Sequence, residues 1–347
     1  MKINVCSETK ILNMQGEGVN TAFLNCVDLL KEGNDVEVSI NNEGVGDIMH
    51  SHSYGPYYFW RGMRYKGRRI HTVHVIPDSI KGSLPASKLL MPFVKWYFKK
   101  VFSYADVCIA ISPTVEKAIK ELGAKTTIAI LSNPLPVEYW KRTPELRKKG
   151  REILGLKETD FCVLGVGQLE GRKGCEDFID IGKQVPNAQF RWIGGRPFGA
   201  MTAGIRKLNQ QIADAPSNIK FAGLFPLTEM PCLYAAGDMF LFPSYQENCP
   251  LSPLEAAASG MPVVYRNIVE YERLYNREYM KADNNAQFID FVKRMMDDKE
   301  EYNKGLEISE KLILQFEKNE IRKRLINLYA GLMVPKEKLK LSESYAS

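Results

Sequence analysis

Short β-branched runs, almost unbroken in apolar residues, alternate with helix-patterned segments along nearly the whole chain. Val107-Cys-Ile-Ala-Ile and Phe161-Cys-Val-Leu-Gly-Val leave no polar face for solvent, so each belongs in a sheet covered on both sides. Strand–helix alternation makes such sheets parallel. Strands are expected at 2–7, 35–41, 47–53, 69–75, 107–112 and 126–132, then at 161–167, 188–194, 218–223, 239–244 and 262–267. Helices are expected at 19–31, 113–122, 174–185, 226–235 and 252–259. Pro134, Pro136, Pro144 and the basic stretch Arg147–Arg151 separate the two series. A length of 347 residues also exceeds what one core usually holds, about 250–300 residues. The expectation is an α/β chain of two Rossmann-like domains, 1–145 and 146 onward, with a frayed polar tail at 335–347. Ligands of open parallel sheets bind beyond the carboxyl ends of the strands, which puts the site in the cleft between the two domains.

Seven scattered cysteines, odd in number and without a C-x-x-C pair, argue against a disulfide framework or zinc site and for a reducing compartment. The opening Met-Lys-Ile-Asn-Val-Cys-Ser reads as a strand, not as a signal peptide. No apolar run approaches the roughly 20 residues that span a bilayer. The expected location is the cytoplasm, or a membrane surface that the chain does not cross. Charge is uneven: residues 1–150 carry 21 Lys and Arg against 14 Asp and Glu, while the remainder is nearly balanced. That asymmetry points to an anionic partner for the N-terminal half.

Three clusters carry chemistry. In Leu164-Gly-Val-Gly-Gln-Leu-Glu-Gly-Arg-Lys-Gly174, a glycine turn at Gly167 joins a strand to a helix. Glycine lets the backbone approach a ligand, the helix offers free N–H groups to an anion, and Arg172 and Lys173 add cations for a diphosphate. An ordinary strand-to-helix loop with a solvated basic pair is the plain alternative. A dinucleotide fingerprint fails, because Glu170 stands where its third glycine belongs. The second cluster is Glu247-Asn-Cys-Pro-Leu-Ser-Pro-Leu-Glu255, with Ser252 at a capping position and Pro253 in the first helical turn. Its carboxylates can accept paired hydrogen bonds from vicinal diols of a ribose or hexose, and the loop Asn248, Cys249, Pro250, Leu251 can cradle a phosphate. Taken alone, Glu247 and Glu255 read equally as surface glutamates complementing a helix dipole. The third cluster is N-terminal: Gly16 and Gly18 form a possible backbone site for phosphate or sugar, and His50, His52, His71 and His74 fall within 25 residues. Alternate positions on one strand supply only two metal ligands on one face, so no metal site is expected. His74 is assigned a hydrogen bond to substrate and His50 a packing role.

In order and spacing these clusters resemble the family 4 retaining glycosyltransferases of the GT-B fold. The correspondence runs through the glycine loop at 16–18, Asp47-Ile-Met-His-Ser-His52, Thr72-Val-His74, Ala105-Asp-Val-Cys-Ile-Ala-Ile-Ser112, Asn133 and Val166-Gly…Arg-Lys-Gly174. It continues through Leu233-Tyr-Ala-Ala-Gly-Asp238 to Phe242-Pro-Ser-x-x-Glu247 and Leu254-Glu-Ala-Ala-Ala-Ser-Gly-Met-Pro-Val-Val264. The resemblance implies a nucleotide-sugar domain at 146–315 and a crossover helix at 316–334 that returns to the N-terminal domain. It implies that Glu247 contacts the hydroxyls of the donor sugar, Glu255 grips the ribose, Lys173 neutralises the diphosphate and His74 bonds the sugar near the reacting carbon. It further implies UDP-sugar as substrate, no bound metal or tight cofactor, and retention by internal return. Two positions depart from the pattern. Gln168 replaces the usual arginine, with Arg172 as the possible substitute, and Asn248-Cys-Pro250 replaces Gly-Phe-Gly.

The acceptor side is read from charge. Arg61, Arg64, Arg68 and Arg69, with Lys88, Lys95, Trp96, Lys99 and Lys100 in a helical pattern, suit a basic aromatic surface lying on anionic lipid. A core helix with a solvated lysine stripe is the alternative. The chain is similar to Gram-positive glycolipid synthases that add a second hexose to monoglucosyl-diacylglycerol. This implies UDP-galactose or UDP-glucose as donor, a glycolipid acceptor, and a peripheral position on the cytoplasmic face of the membrane. The rival readings are a transferase for a soluble or polymer acceptor (capsule, teichoic acid), a nucleotide-sugar epimerase, and a nucleic-acid binder, which the acidic pair disfavours.

Overall fold

The computed structural model describes residues 1–8, 18–42, 46–53, 55–80, 87–195 and 205–334. Two six-stranded sheets form, and every pairing in both is parallel. The first contains β1 (Lys2–Cys6), β2 (Glu37–Ile40), β3 (Ile48–Ser51), β4 (Arg68–Val73), β5 (Val107–Ala110) and β6 (Thr127–Ile130), in the order β2-β1-β3-β4-β5-β6. The second contains β7 (Cys162–Val166), β8 (Gln189–Ile193), β9 (Ile219–Gly223), β10 (Met239–Phe242), β11 (Val263–Arg266) and β12 (Met280–Ala282), in the order β12-β11-β10-β7-β8-β9. The strand order reverses beside β1 and beside β7, and the crevices at these reversals face ligands in doubly wound sheets. Eleven of the strands are those expected from the sequence; β12 is the addition.

The basic stretch after Pro144 is a helix, Pro144–Leu154, and not an open linker. Thr143 caps it through the Leu146 N–H at 3.2 Å, and Gly155 ends it in the left-handed conformation at φ +62°. Arg147 and Arg151 point at Asp238, with N–O distances of 2.7 and 3.3 Å, so these cations are committed within the fold.

The final helix, Lys318–Met333, crosses back to the first sheet. Its Ile321, Leu325, Tyr329 and Leu332 are buried with Ile3, Val5, Phe23, Ile48 and Ile70. Arg322 fixes its start by pairing with both Asp35 oxygens at 2.9 and 3.0 Å. The outgoing segment at Leu135 and the returning one at Glu317 run side by side as a parallel bridge. A large core cluster continues from Phe98, Val115 and Ile119 through Leu135 and Trp140 to Leu254, Tyr265 and Tyr271, so apolar packing is unbroken between the sheets. Among the described residues no helix is long and apolar enough to cross a membrane. The tail from 335 lies outside the described residues.

Candidate active site

The site is assembled from loops at the carboxyl ends of β7, β10 and β4. After β7 the chain makes a single 3-10 turn, Gly171–Lys173, ending at Gly174 with φ +74°. A Cβ at Gly174 would lie 2.3 Å from the carbonyl oxygen of Pro243, so only glycine allows this loop to press on the one after β10. The two loops are laced together: Tyr245 N donates to Arg172 O at 2.8 Å, and Ser244 Oγ lies 3.1 Å from the same carbonyl. The Ser244 hydroxyl donates to Glu247 Oε1 at 2.7 Å. The lacing brings the Lys173 ammonium onto Glu247 Oε1 as a hydrogen-bonded ion pair. Both side chains are largely buried, 14% and 9% exposed. Burial holds the Lys173 ammonium below the usual lysine range, opposed by the Glu247 charge.

Arg172 Nε forms an ion pair with Glu170 Oε2 at 2.7 Å, and its Nη2 lies 3.5 Å from Gln168 Oε1. The guanidinium therefore reaches the side chain of the residue whose place an arginine usually takes. Gly167 closes the strand end, where its carbonyl accepts from Trp192 Nε1 at 2.9 Å. It also packs so near Gly194 (φ +145°) that a Cβ there would lie 1.9 Å from the Gly167 oxygen.

Glu255 is buried in the first turn of the helix Ser252–Ala258. The helix begins one residue earlier than a Ser252 cap requires: Leu251 is the N-cap and no side chain caps it. A proline at the second helical position demands no donor and lets Ser252 enter the helix proper. Tyr234 Oη donates to Glu255 Oε2 at 2.7 Å. Burial pushes the Glu255 carboxyl up to about 7, against the lowering effect of that hydrogen bond. Tyr234 falls inside the Leu233–Asp238 motif but carries no signal of its pairing, because its partner is 21 residues away. Cys249 is buried, and burial pushes its thiol up to about 12.

Across the cleft, His74 directly follows β4 as a buried residue. His52 Nδ1 lies 2.9 Å from His74 Nε2, and burial lowers the His74 imidazole to about 3, which keeps it neutral at physiological pH. Asn248 Nδ2 donates to the His74 carbonyl at 3.0 Å, so the donor-side loop touches the first sheet directly. His50 bridges Tyr329 Oη and Thr72 Oγ1, both at 2.6 Å, a packing role that also ties the final helix to the cleft. Cys26, His50 and His52 bring three ligand-type atoms within 4.8 Å. Both His50 nitrogens are taken, and burial pushes the Cys26 thiol up to about 12. Gly18 opens the helix Gly18–Lys31 with free space around its Cα; Gly16 lies outside the described residues.

The basic face is split. Lys95, Lys99 and Lys100 are exposed on the helix Ser87–Tyr104, together with Phe93 (65%) and Trp96 (55%), whose rings stack at 5.7 Å. The helix Pro56–Gly62 adds Trp60 (61% exposed) and Tyr57, which hydrogen-bonds Arg61; Arg64 follows in the open. Sequence reasoning missed these two aromatics because they precede the arginines in a short element. Arg68 and Arg69 begin β4 and both face Asp106, at 3.8 and 3.6 Å. The Lys88 side chain lies outside the described residues.

Two facing doubly wound sheets, a crossing terminal helix and a basic glycine turn laced to a carboxylate loop define the architecture of GT-B glycosyltransferases. Residues 160–298 match the family described as glycosyl transferases group 1, and residues 46–139 match Glycosyltransferase Family 4. The alpha-galactosylglucosyldiacylglycerol synthase of Streptococcus pneumoniae is 30% identical over 285 residues, covering 80% of this chain and 76% of that protein. The processive diacylglycerol alpha-glucosyltransferase of Acholeplasma laidlawii is 28% identical over 226 residues, covering 64% and 67%. In fold, the chain is similar to Anabaena HepE solved with UDP and glucose, at a TM-score of 0.75, 17% identity and coverage of 95% and 99%. The chain belongs to the family 4 glycosyltransferases of the GT-B fold, and it is a sugar-transferring enzyme.

Proposed function

We propose that the enzyme moves a hexose, galactose or glucose, from its UDP donor to a membrane glycolipid such as monoglucosyl-diacylglycerol, with retention of anomeric configuration. One observation carries the donor half: Asn248, next to Glu247, hydrogen-bonds the His74 carbonyl, so the motifs assigned to the donor sugar meet in one place. In this reading 1–145 is the acceptor and membrane side, 146–315 the donor domain and 316–334 the crossover. Glu255 takes the ribose diol. Glu247 takes sugar hydroxyls, and neutral His74 hydrogen-bonds the sugar near the reacting carbon. Gly16, Gly18, Gly167 and the backbone of Asn248, Cys249, Pro250 and Leu251 line the path of the diphosphate. Lys173 exchanges Glu247 for phosphate oxygens as charge builds on the leaving group, with Arg172 beside it. Stabilising a departing diphosphate by fixed cations requires neither a protein nucleophile nor a metal ion.

The acceptor half is supported by what the Streptococcus and Acholeplasma relatives act on and by the basic aromatic face. That face would hold the enzyme peripherally on the anionic cytoplasmic leaflet through Arg61, Arg64, Lys88, Lys95, Trp96, Lys99 and Lys100, with Arg68 and Arg69 at its border. Incubation with UDP-glucose and UDP-galactose separately, plus monoglucosyl-diacylglycerol in mixed micelles, should give a diglycosyl lipid with one donor. No lipid product with either donor would sink the acceptor assignment.

A further inference from the structure

The side chain of Asn248 leaves the domain that carries it. Nδ2 lies 3.0 Å from His74 O and 3.0 Å from Ser79 Oγ. A carbonyl can only accept, so the amide orientation is fixed by chemistry, and both N–H bonds of the amide are spent on the first domain. Ser79 belongs to the short helix Pro77–Ile80 that follows β4. The residue before Asn248 is pinned in the opposite direction: Glu247 is held by Lys173 and Ser244 of the second domain. The residue after it, Cys249, is buried, and Pro250 fixes the backbone beyond. Adjacent residues are thus tied to opposite walls of the cleft. Separation of the walls by more than about 1 Å would break both Asn248 bonds, since a contact near 4 Å is no longer a hydrogen bond.

We propose that Asn248 is a positioning residue that makes donor capture at Glu247 and closure of the cleft onto His74 and Ser79 one event. Donor hydroxyls that order Glu247 also order its neighbour, and the ordered Asn248 amide clasps the acceptor domain. The side chain acts through domain placement, so it governs turnover more than donor affinity. The inference rests on reading Glu247 as a ligand of the donor sugar.

The test is a double-mutant cycle in the full-length enzyme with Asn248→Ala and Ser79→Ala, the latter lying on the far wall. UDP-sugar affinity is read by calorimetry, and turnover by UDP release with and without monoglucosyl-diacylglycerol micelles. Asn248→Ala should lower kcat roughly tenfold or more, from two lost hydrogen bonds, while the donor Kd stays within about threefold. Ser79→Ala should give a smaller loss of kcat, and the double variant should be no worse than Asn248→Ala. A kcat for Asn248→Ala within about twofold of wild type would overturn the clasp, as would losses that multiply in the double variant or a fall confined to donor affinity. Glu247→Gln is the separate control: unchanged donor Kd and kcat there would remove the donor reading itself.

Discussion

Tyr234 donates a 2.7 Å hydrogen bond to a Glu255 carboxyl whose titration burial has moved to about 7. At neutral pH this acid is therefore divided between its protonated and ionised forms, and the proposed ribose diol, two donors, prefers the ionised one. Donor binding should release protons. Affinity for UDP should rise as pH increases from 5.5 towards 8, by on the order of tenfold, and level off above the free-enzyme value. Calorimetry in buffers of different ionisation enthalpy measures the release. A pH-independent Kd, or proton uptake, would remove Glu255 from the ribose site.

The same shift has a cost in the unliganded protein. In the unfolded chain the carboxyl ionises near its ordinary 4.5, but in the fold only near 7. Below 4.5 it is neutral in both states and folding is unaffected. Between these values only the unfolded chain loses the proton, so stability falls as pH rises through the window. Glu255→Gln should remove that penalty, on the order of 2–3 kcal/mol. Its Tm should exceed that of wild type at pH 8 and match it at pH 4.5. Thermal denaturation at the two pH values decides, and an equal shift at both would show that ionisation is not the cause.

What the sequence disclosed, and what it did not, follows from the range of the interactions. β5 and β7 were legible because their apolar runs permit no other placement. β12 was not, because three residues with an exposed Lys281 carry no periodicity. The helix Pro144–Leu154 was present as a capping Thr143 and a proline, but its basic stretch read as a linker until Asp238 supplied a partner for Arg147 and Arg151. In the site, Lys173, Glu247 and Glu255 were recognisable by residue type and spacing. Their partners Ser244 and Tyr234, and the contact of His52 with His74, were not. Each is an ordinary residue whose pairing only the folded chain sets. Asn248 was read as a donor-loop residue, whereas its amide faces the other domain, 174 residues away in sequence.

In the proposed function Lys173 is the cation assigned to the leaving group. Lys173→Met keeps much of the apolar stem but removes the charge proposed to face the leaving diphosphate. Loss of one such preorganised group lowers kcat by about 10²–10³-fold. It also leaves Glu247 buried without its ion partner, which costs stability. The variant should therefore show a lowered Tm in addition to slow turnover. A kcat within tenfold of wild type would place the diphosphate elsewhere.

The proposed membrane docking can be tested separately from chemistry because its residues lie on the helices Pro56–Gly62 and Ser87–Tyr104 and not in the laced loops. Phe93, Trp96 and Trp60 supply exposed aromatic area, and Lys95, Lys99 and Lys100 supply charge. Each lysine near an anionic surface contributes about 1 kcal/mol, so neutralising three should weaken vesicle binding by on the order of 100-fold at low ionic strength. Wild type should pellet with phosphatidylglycerol vesicles at 50 mM salt or about that value and release as the Debye length shortens. The triple Lys→Gln variant should stay in solution, and Trp60→Ala with Trp96→Ala should weaken binding in a way that salt does not mimic. UDP affinity should be unchanged in all of them. Equal sedimentation of wild type and the triple variant would assign the lysines to ordinary solvation and leave the acceptor to reach the cleft by another face.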